Sequence, residues 1–140
     1  MANEAKKEYL KQYRKKVFAI KKIESEIEEI RRIKCSPSVK MGDGMPSSHN
    51  NNDLSSYAAR IDQLETELLE KKKRLVDLLT QIESQINLLE DERERCVLQY
   101  RYINQMGWLK IADTMGYTER WIHKIHSQAL NNFEIYNKNS

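Results

Sequence analysis

The chain has 140 residues, 32% of them charged and 39% hydrophobic, with only four Gly and two Pro. Few breakers among A/E/K/L/R-rich stretches make all-α with some coiled coil the natural class, and the length suits one domain plus an extension. No run approaches the roughly 18 apolar residues of a membrane span, and a formal net charge of +3 is too small to decide for a nucleic-acid partner by itself.

The first segment, 1–34, reads as a basic helix over about residues 6 to 34. Residues 1–22 hold eight Lys/Arg against two Glu, a surface that can touch phosphates or serve as a solvated coiled-coil face. Leu10, Tyr13, Val17 and Ile20 form one heptad seam, and Ile23, Ile27 and Ile30 form another. Their join drops one residue, a stammer that overwinds a coiled coil locally. MANEAKKEYLKQYRKK carries no apolar h-region, so no secretory signal is expected.

Residues 35–53, CSPSVKMGDGMPSSHNNND, contain both prolines and half of the glycines, and read as a flexible linker. GDG lacks the lysine and spacing of a phosphate loop, and His49 reads as solvated. Cys35 and Cys96 lie far apart with no C-x-x-C, which fits free thiols in a reducing compartment.

A coiled-coil or oligomerisation helix is expected over 54–89, capped at Asp53. Leu54, Tyr57, Ile61, Leu64 and Leu68 give an a/d seam, Lys71 interrupts it, and Leu75, Leu78 and Ile82 resume it. Leu79, Ile86 and Leu89 widen the stripe, as contact with more than one neighbour requires. Two long helices and a linker can fold into a hairpin or pair between chains. The apolar seams predict a homo-oligomer, with a dimer favoured.

Residues 90–140 change character, with aromatics and short turns in place of charged repeats. A helix from about Glu90 to Asn104 carries Val97, Leu98 and Tyr102 inward. Gly107 is expected to break it, Trp108–Met115 to form a short helix, Gly116 to supply a left-handed turn, and Thr118 to cap a helix running through Ala129. With Ala112 small at the crossing, Ile122 and Ile125 facing inward, and Ile111, Met115 and Tyr117 completing a small core, the spacing is that of a helix-turn-helix DNA-binding domain. The helical period leaves Glu119, Arg120, Trp121, His123, Lys124 and Ser127 outside, where Arg and Lys can pair with guanine edges, while Thr118 and the helix N-terminus suit a phosphate. His123 and His126 make a poor zinc site without a third ligand, so no metal or cofactor is expected. His123 reads as a DNA contact and His126 as partly packed. Trp108 reads as core, and Trp121 stands between packing and DNA contact.

LQYRYINQMGWLKIADTMGYTERWIHKIHSQAL resembles region 4 of bacterial sigma factors through Arg101–Tyr102, Ile111–Ala112, Gly116–Thr118, Ile122, Ile125 and Ala129–Leu130. With DLSSYAARIDQLE at 53–65, the whole layout is similar to phage-encoded transcriptional regulators of the RinA/ArpU type. The resemblance implies a DNA-binding activator of phage late packaging and morphogenesis genes, working in the bacterial cytoplasm, with host RNA polymerase a candidate partner. Sigma-type contacts carried over residue by residue fall on Glu119, Arg120, Trp121, His123 and Lys124. Sigma factors usually place a charged residue where Trp121 stands, so a −35-like target does not follow.

Two other readings compete with a transcription factor. One is a coiled-coil adaptor that docks on RNA polymerase or another regulator without reading bases. The other is a terminase small subunit-like protein, although those usually carry the DNA-binding head at the N-terminus. No G-x-x-x-x-G-K-[ST], H-E-x-x-H or G-x-S-x-G occurs, so no enzymatic activity is expected.

Overall fold

The computed structural model describes residues 2–35 and 47–135, and side chains within 3–33 and 55–135. Among the described residues the fold is helical without strands. Helix α1 is Ala2–Cys35, α2 is Ser47–Ile86 and α3 is Glu92–Leu98, continued by a π-helical turn at Gln99–Ile103. Helix α4 is Trp108–Met115 and α5 is Glu119–Asn132. No described helix is long and apolar enough to cross a membrane.

Helix α2 begins at Ser47, six residues ahead of the expected cap at Asp53. The run SSHNNN is weak in helix propensity, but propensity is only a prior that context overrides. The rest of the expected linker, 36–46 with its GDG, lies outside the described residues, as do the side chains of Cys35, His49 and Leu54. Cys96 is a half-buried free thiol.

The chain packs as two compact units, Val17–Arg74 and Met1–Lys16 with Leu75–Ser140. In the first, α1 and α2 pair within one chain. Ile23, Ile27, Ile61 and Leu64 are buried, with Ile30 and Leu68 packed against them. This is the seam read from the heptads, and it is closed here by the chain's own second helix. Arg31–Glu65 and Arg60–Glu26 bridge the two helices, but all four side chains are at least 42% exposed. Such pairs contribute at most about 1 kcal/mol each, so the aliphatic seam carries the pairing. Lys71, half-buried at its seam position, pairs with Glu67 one turn back at 3.6 Å.

The second unit holds two cores. One collects Leu10 from α1, Ile82 and Ile86 from α2, then Leu89, Leu98, Tyr102, Ala129, Leu130 and Phe133. The other is Val97, Ile111, Ala112, Ile122 and Ile125, with Tyr100, Met106, Trp108 and Met115 against it. The second core belongs to the C-terminal helices alone, whereas the first is completed by the start of α1 and the end of α2. Polar ties follow the same contacts. Lys6 Nζ donates to the Leu130 carbonyl at 2.7 Å, where a cation also complements the C-terminal end of the α5 dipole. Tyr9 Oη donates to Gln85 Oε1 at 2.6 Å and accepts from Gln81 Nε2 at 2.9 Å. Buried Glu94 accepts from Asn132 Nδ2 at 2.9 Å, tying α3 to α5.

Asp91 caps α3, its side chain accepting from the Arg93 backbone N–H at 2.8 Å. The helical run ends at Ile103, next to the expected Asn104, but Gly107 is not what breaks it. The chain reverses at Gln105, which sits at φ 57°, and Gly107 has an ordinary φ of −70° as the cap of α4. The Met106 N–H donates to the Tyr100 carbonyl at 2.9 Å and Arg101 Nη1 to the Met106 carbonyl at 3.1 Å. These two bonds hold a reversal that a non-glycine residue resists.

Candidate nucleic-acid interface

Helices α4 and α5 are joined by Gly116, Tyr117 and Thr118. Gly116 takes φ 75° and ψ 31°, the left-handed conformation anticipated for it. A Cβ built there would meet nothing within 4 Å, so the demand for glycine comes from backbone conformation and not from crowding. The Ala112 carbonyl accepts from the N–H groups of both Gly116 (2.9 Å) and Tyr117 (3.0 Å), which satisfies the end of α4. Thr118 then caps α5, its Oγ1 accepting from the Trp121 N–H at 3.2 Å.

Helix α5 has two distinct faces. Ile122, Ile125, His126, Ala129 and Leu130 are buried. Glu119, Arg120, Trp121, His123, Lys124 and Ser127 are exposed, together with Thr118 at the cap. All seven expected contact residues therefore share the solvent side of one cap and helix. Arg120 has no ion-pair partner among the described residues. Lys124 Nζ lies 5.7 Å from the centre of the Trp121 ring, which is itself 41% exposed. Trp121 therefore stands on the outer face with Lys124 and outside the core.

Two expectations need correcting. Tyr117 does not complete the core. It is an exposed residue of the turn, and its hydroxyl interacts with Arg93 at the start of α3. An aromatic ring with a polar tip can lie on a surface while its hydroxyl stays hydrated or paired. His126 is more deeply placed than a partly packed residue. It is 6% exposed, and its Nε2 lies 2.7 Å from the Tyr102 hydroxyl. Burial, with the positive charges of Lys7, His123 and Arg101 behind it, pushes the His126 imidazole down to about 4, so the ring is neutral near pH 7. Burial likewise pushes the Tyr102 phenol up to about 12.

Trp108 lies half-buried between the core and the outer face. Its ring centre is 4.7 Å from that of His126 and 4.5 Å from that of His123. The Arg101 guanidinium stacks over it at 4.3 Å, a cation–π contact worth about 0.5–2 kcal/mol. His123 is thereby held against Trp108 on one side and near Glu119 on the other, with Nε2 3.7 Å from Oε1. Arg101 under Trp108 was not legible as a support, because a helix end and a reversal separate the two residues and no helical period links them.

A family model described as a protein of unknown function, DUF1492, matches residues 50–134. No curated protein matches the chain. No solved structure matches it either.

Proposed function

The chain belongs to the DUF1492 family, and we propose that it is a sequence-specific double-stranded-DNA-binding regulator in which the N-terminal half of α5 enters the major groove. The observation that carries this reading is the division of α5 into two faces. A glycine-ended helix and a threonine-capped helix meet at a tight turn, and one side of the second is packed while Arg120, His123 and Lys124 stand outside it. Arg and Lys at such positions pair with guanine O6 and N7, and a threonine cap with its free N–H groups suits a phosphate. Glu119 and Ser127 border the same face, and Trp121 offers an apolar edge beside Lys124.

The sigma region 4-like arrangement and the RinA/ArpU-like layout extend this to an activator of phage late genes in the bacterial cytoplasm, in contact with host RNA polymerase. Dimerisation belongs to the same proposal. Its support has moved, however, because the heptad seam of α1 and α2 is closed within one chain. Phe18, Ile33, Leu69 and Val76, between 39% and 73% exposed, are among the apolar side chains of α1 and α2 left for a partner copy.

Footprinting on DNA from the protein's own genome tests the reading. Arg120→Ala should cost about 1–3 kcal/mol of binding and relax preference at one base pair if it makes a bidentate contact. A triple alanine variant at 120, 123 and 124 that stays folded and binds its footprinted site unchanged would refute the groove assignment. The adaptor reading draws on Leu109, 66% exposed on α4, and on Trp121. It takes over if the wild type shows no preference over random DNA yet binds a protein partner through these two side chains.

A further inference from the structure

Lys11 and Arg14 of α1 come together with Arg101, Tyr102 and Gln105 around a notch of about 40 Å³. All five belong to the same compact unit as α5. Three cations line this notch and no carboxylate does. Lys11 has only a loose surface contact with Glu8 at 3.8 Å. Neither Arg14 nor Arg101 has an ion-pair partner among the described residues. Arg101 is committed on one side to the Met106 carbonyl and to the Trp108 ring.

One water needs roughly 10–15 Å³ of such space, so the notch has room for the oxygens of a small anion, and its three cations favour one. The notch also adjoins the outer face of α5, since Arg101 stacks on Trp108 and Trp108 on His123. From these observations we infer that Lys11 and Arg14 hold a DNA backbone phosphate beside the groove read by α5. The start of α1 is then part of the DNA interface as well as part of the core. Leu10 anchors this segment in the core with no exposure, so the two cations are presented from a fixed helix. Backbone contacts of this kind set register and affinity but read no sequence.

The inference rests on the DNA-binding reading, and the salt dependence of binding separates the two. Full-length protein is titrated onto a random-sequence duplex and onto the footprinted duplex between about 50 and 200 mM salt, where each phosphate contact adds close to 0.9 to the slope of log K against log salt. Lys11→Ala with Arg14→Ala should weaken both duplexes by the same factor and lower the slope by up to about two units. Lys11→Arg with Arg14→Lys should keep the wild-type slope. Lys21→Ala with Lys22→Ala removes the same charge from α1 outside the notch and should leave the slope nearly unchanged. The inference falls if the first variant keeps the full slope while the alanine variant at 120, 123 and 124 loses sequence preference; the DNA-binding reading then survives alone. It also falls if the control pair lowers the slope equally, since net charge then explains the effect. Failure of the wild type to bind either duplex at the lowest salt would overturn both.

Discussion

The helix pair of Val17–Arg74 and the unit that carries α5 solve the burial problem in different ways. The first closes an aliphatic stripe with four buried residues from two helices. The second gathers side chains from α1, α2, α3, the π-helical turn and α5 into the mixed core, the first of its two, and admits the buried polar groups Gln85, Glu94 and His126. Glu94 is bonded to Asn132 and His126 to Tyr102. No buried side-chain polar atom among the described residues is left without a partner. A repeating aliphatic seam tolerates neighbours of similar size, whereas satisfied polar pairs and interlocked rings favour one arrangement. The proposed groove-reading face of α5 rests on the second kind of support.

The sharpest way to break this comparison is to delete one ring from the mixed core. Phe133 is fully buried at the end of α5, with its ring centre 6.2 Å from that of Tyr9 on α1. Phe133→Ala should cost about 3–5 kcal/mol and loosen α1 and α5 together. Ile27→Val in the helix pair should cost only about 0.5–1.5 kcal/mol. Urea unfolding with hydrogen exchange across 119–132 reads both. If Phe133→Ala costs no more than Ile27→Val, the mixed core is not the more specific of the two.

Acid sharpens the contrast, because among the described residues only the mixed core buries a histidine. The His126 value of about 4 lies below the ordinary 6.5. Between those values the unfolded chain binds a proton that the folded chain refuses. Its contribution is therefore fully present above about pH 6.5, declines as pH falls toward 4, and is level below that, where both states are protonated. His126→Gln keeps a polar partner for the Tyr102 hydroxyl and should flatten this part of the stability profile. An equal slope in the variant and the wild type would assign the acid sensitivity to carboxylates instead.

How much of this was legible in the sequence depends on what kind of signal each element carries. The bounds of α4, the left-handed Gly116, the Thr118 cap and the burial of Ile122, Ile125 and Ala129 all follow from local chemistry and the 3.6-residue period, and the structure has each of them. The heptads of α1 marked an apolar face, but periodicity does not say what covers it. Leu10 joins the mixed core while Ile23 and Ile27 join the helix pair, and the stammer at Ile20–Ile23 lies just past the boundary between units at Lys16 and Val17. Tyr117 was expected inside because hydrophobicity alone ranks it with core residues; its hydroxyl and the exposed turn decided otherwise. His126 could not be told from a partly packed residue, because its partner Tyr102 is 24 positions away.

The smallest effect is expected at Gln105, one of two left-handed residues of which the sequence pointed to Gly116 and hid Gln105. At Gly116 the conformation is satisfied by the residue present, so Gly116→Val should cost about 1–3 kcal/mol, from backbone strain alone because the added Cβ would meet no neighbour. At Gln105 the same region of φ is imposed on a side chain that resists it. The left-handed conformation costs an L-residue about 1–2 kcal/mol. Gln105→Gly removes that strain, but glycine loses about 0.5–1 kcal/mol more chain entropy on folding. The net should be a gain of roughly 0–1 kcal/mol, a higher denaturant midpoint with an unchanged m-value. Gln105 is exposed, and its side chain makes no hydrogen bond among the described residues, so a clear loss of stability on Gln105→Gly would mean that the reversal after the π-helical turn is not strained at this residue.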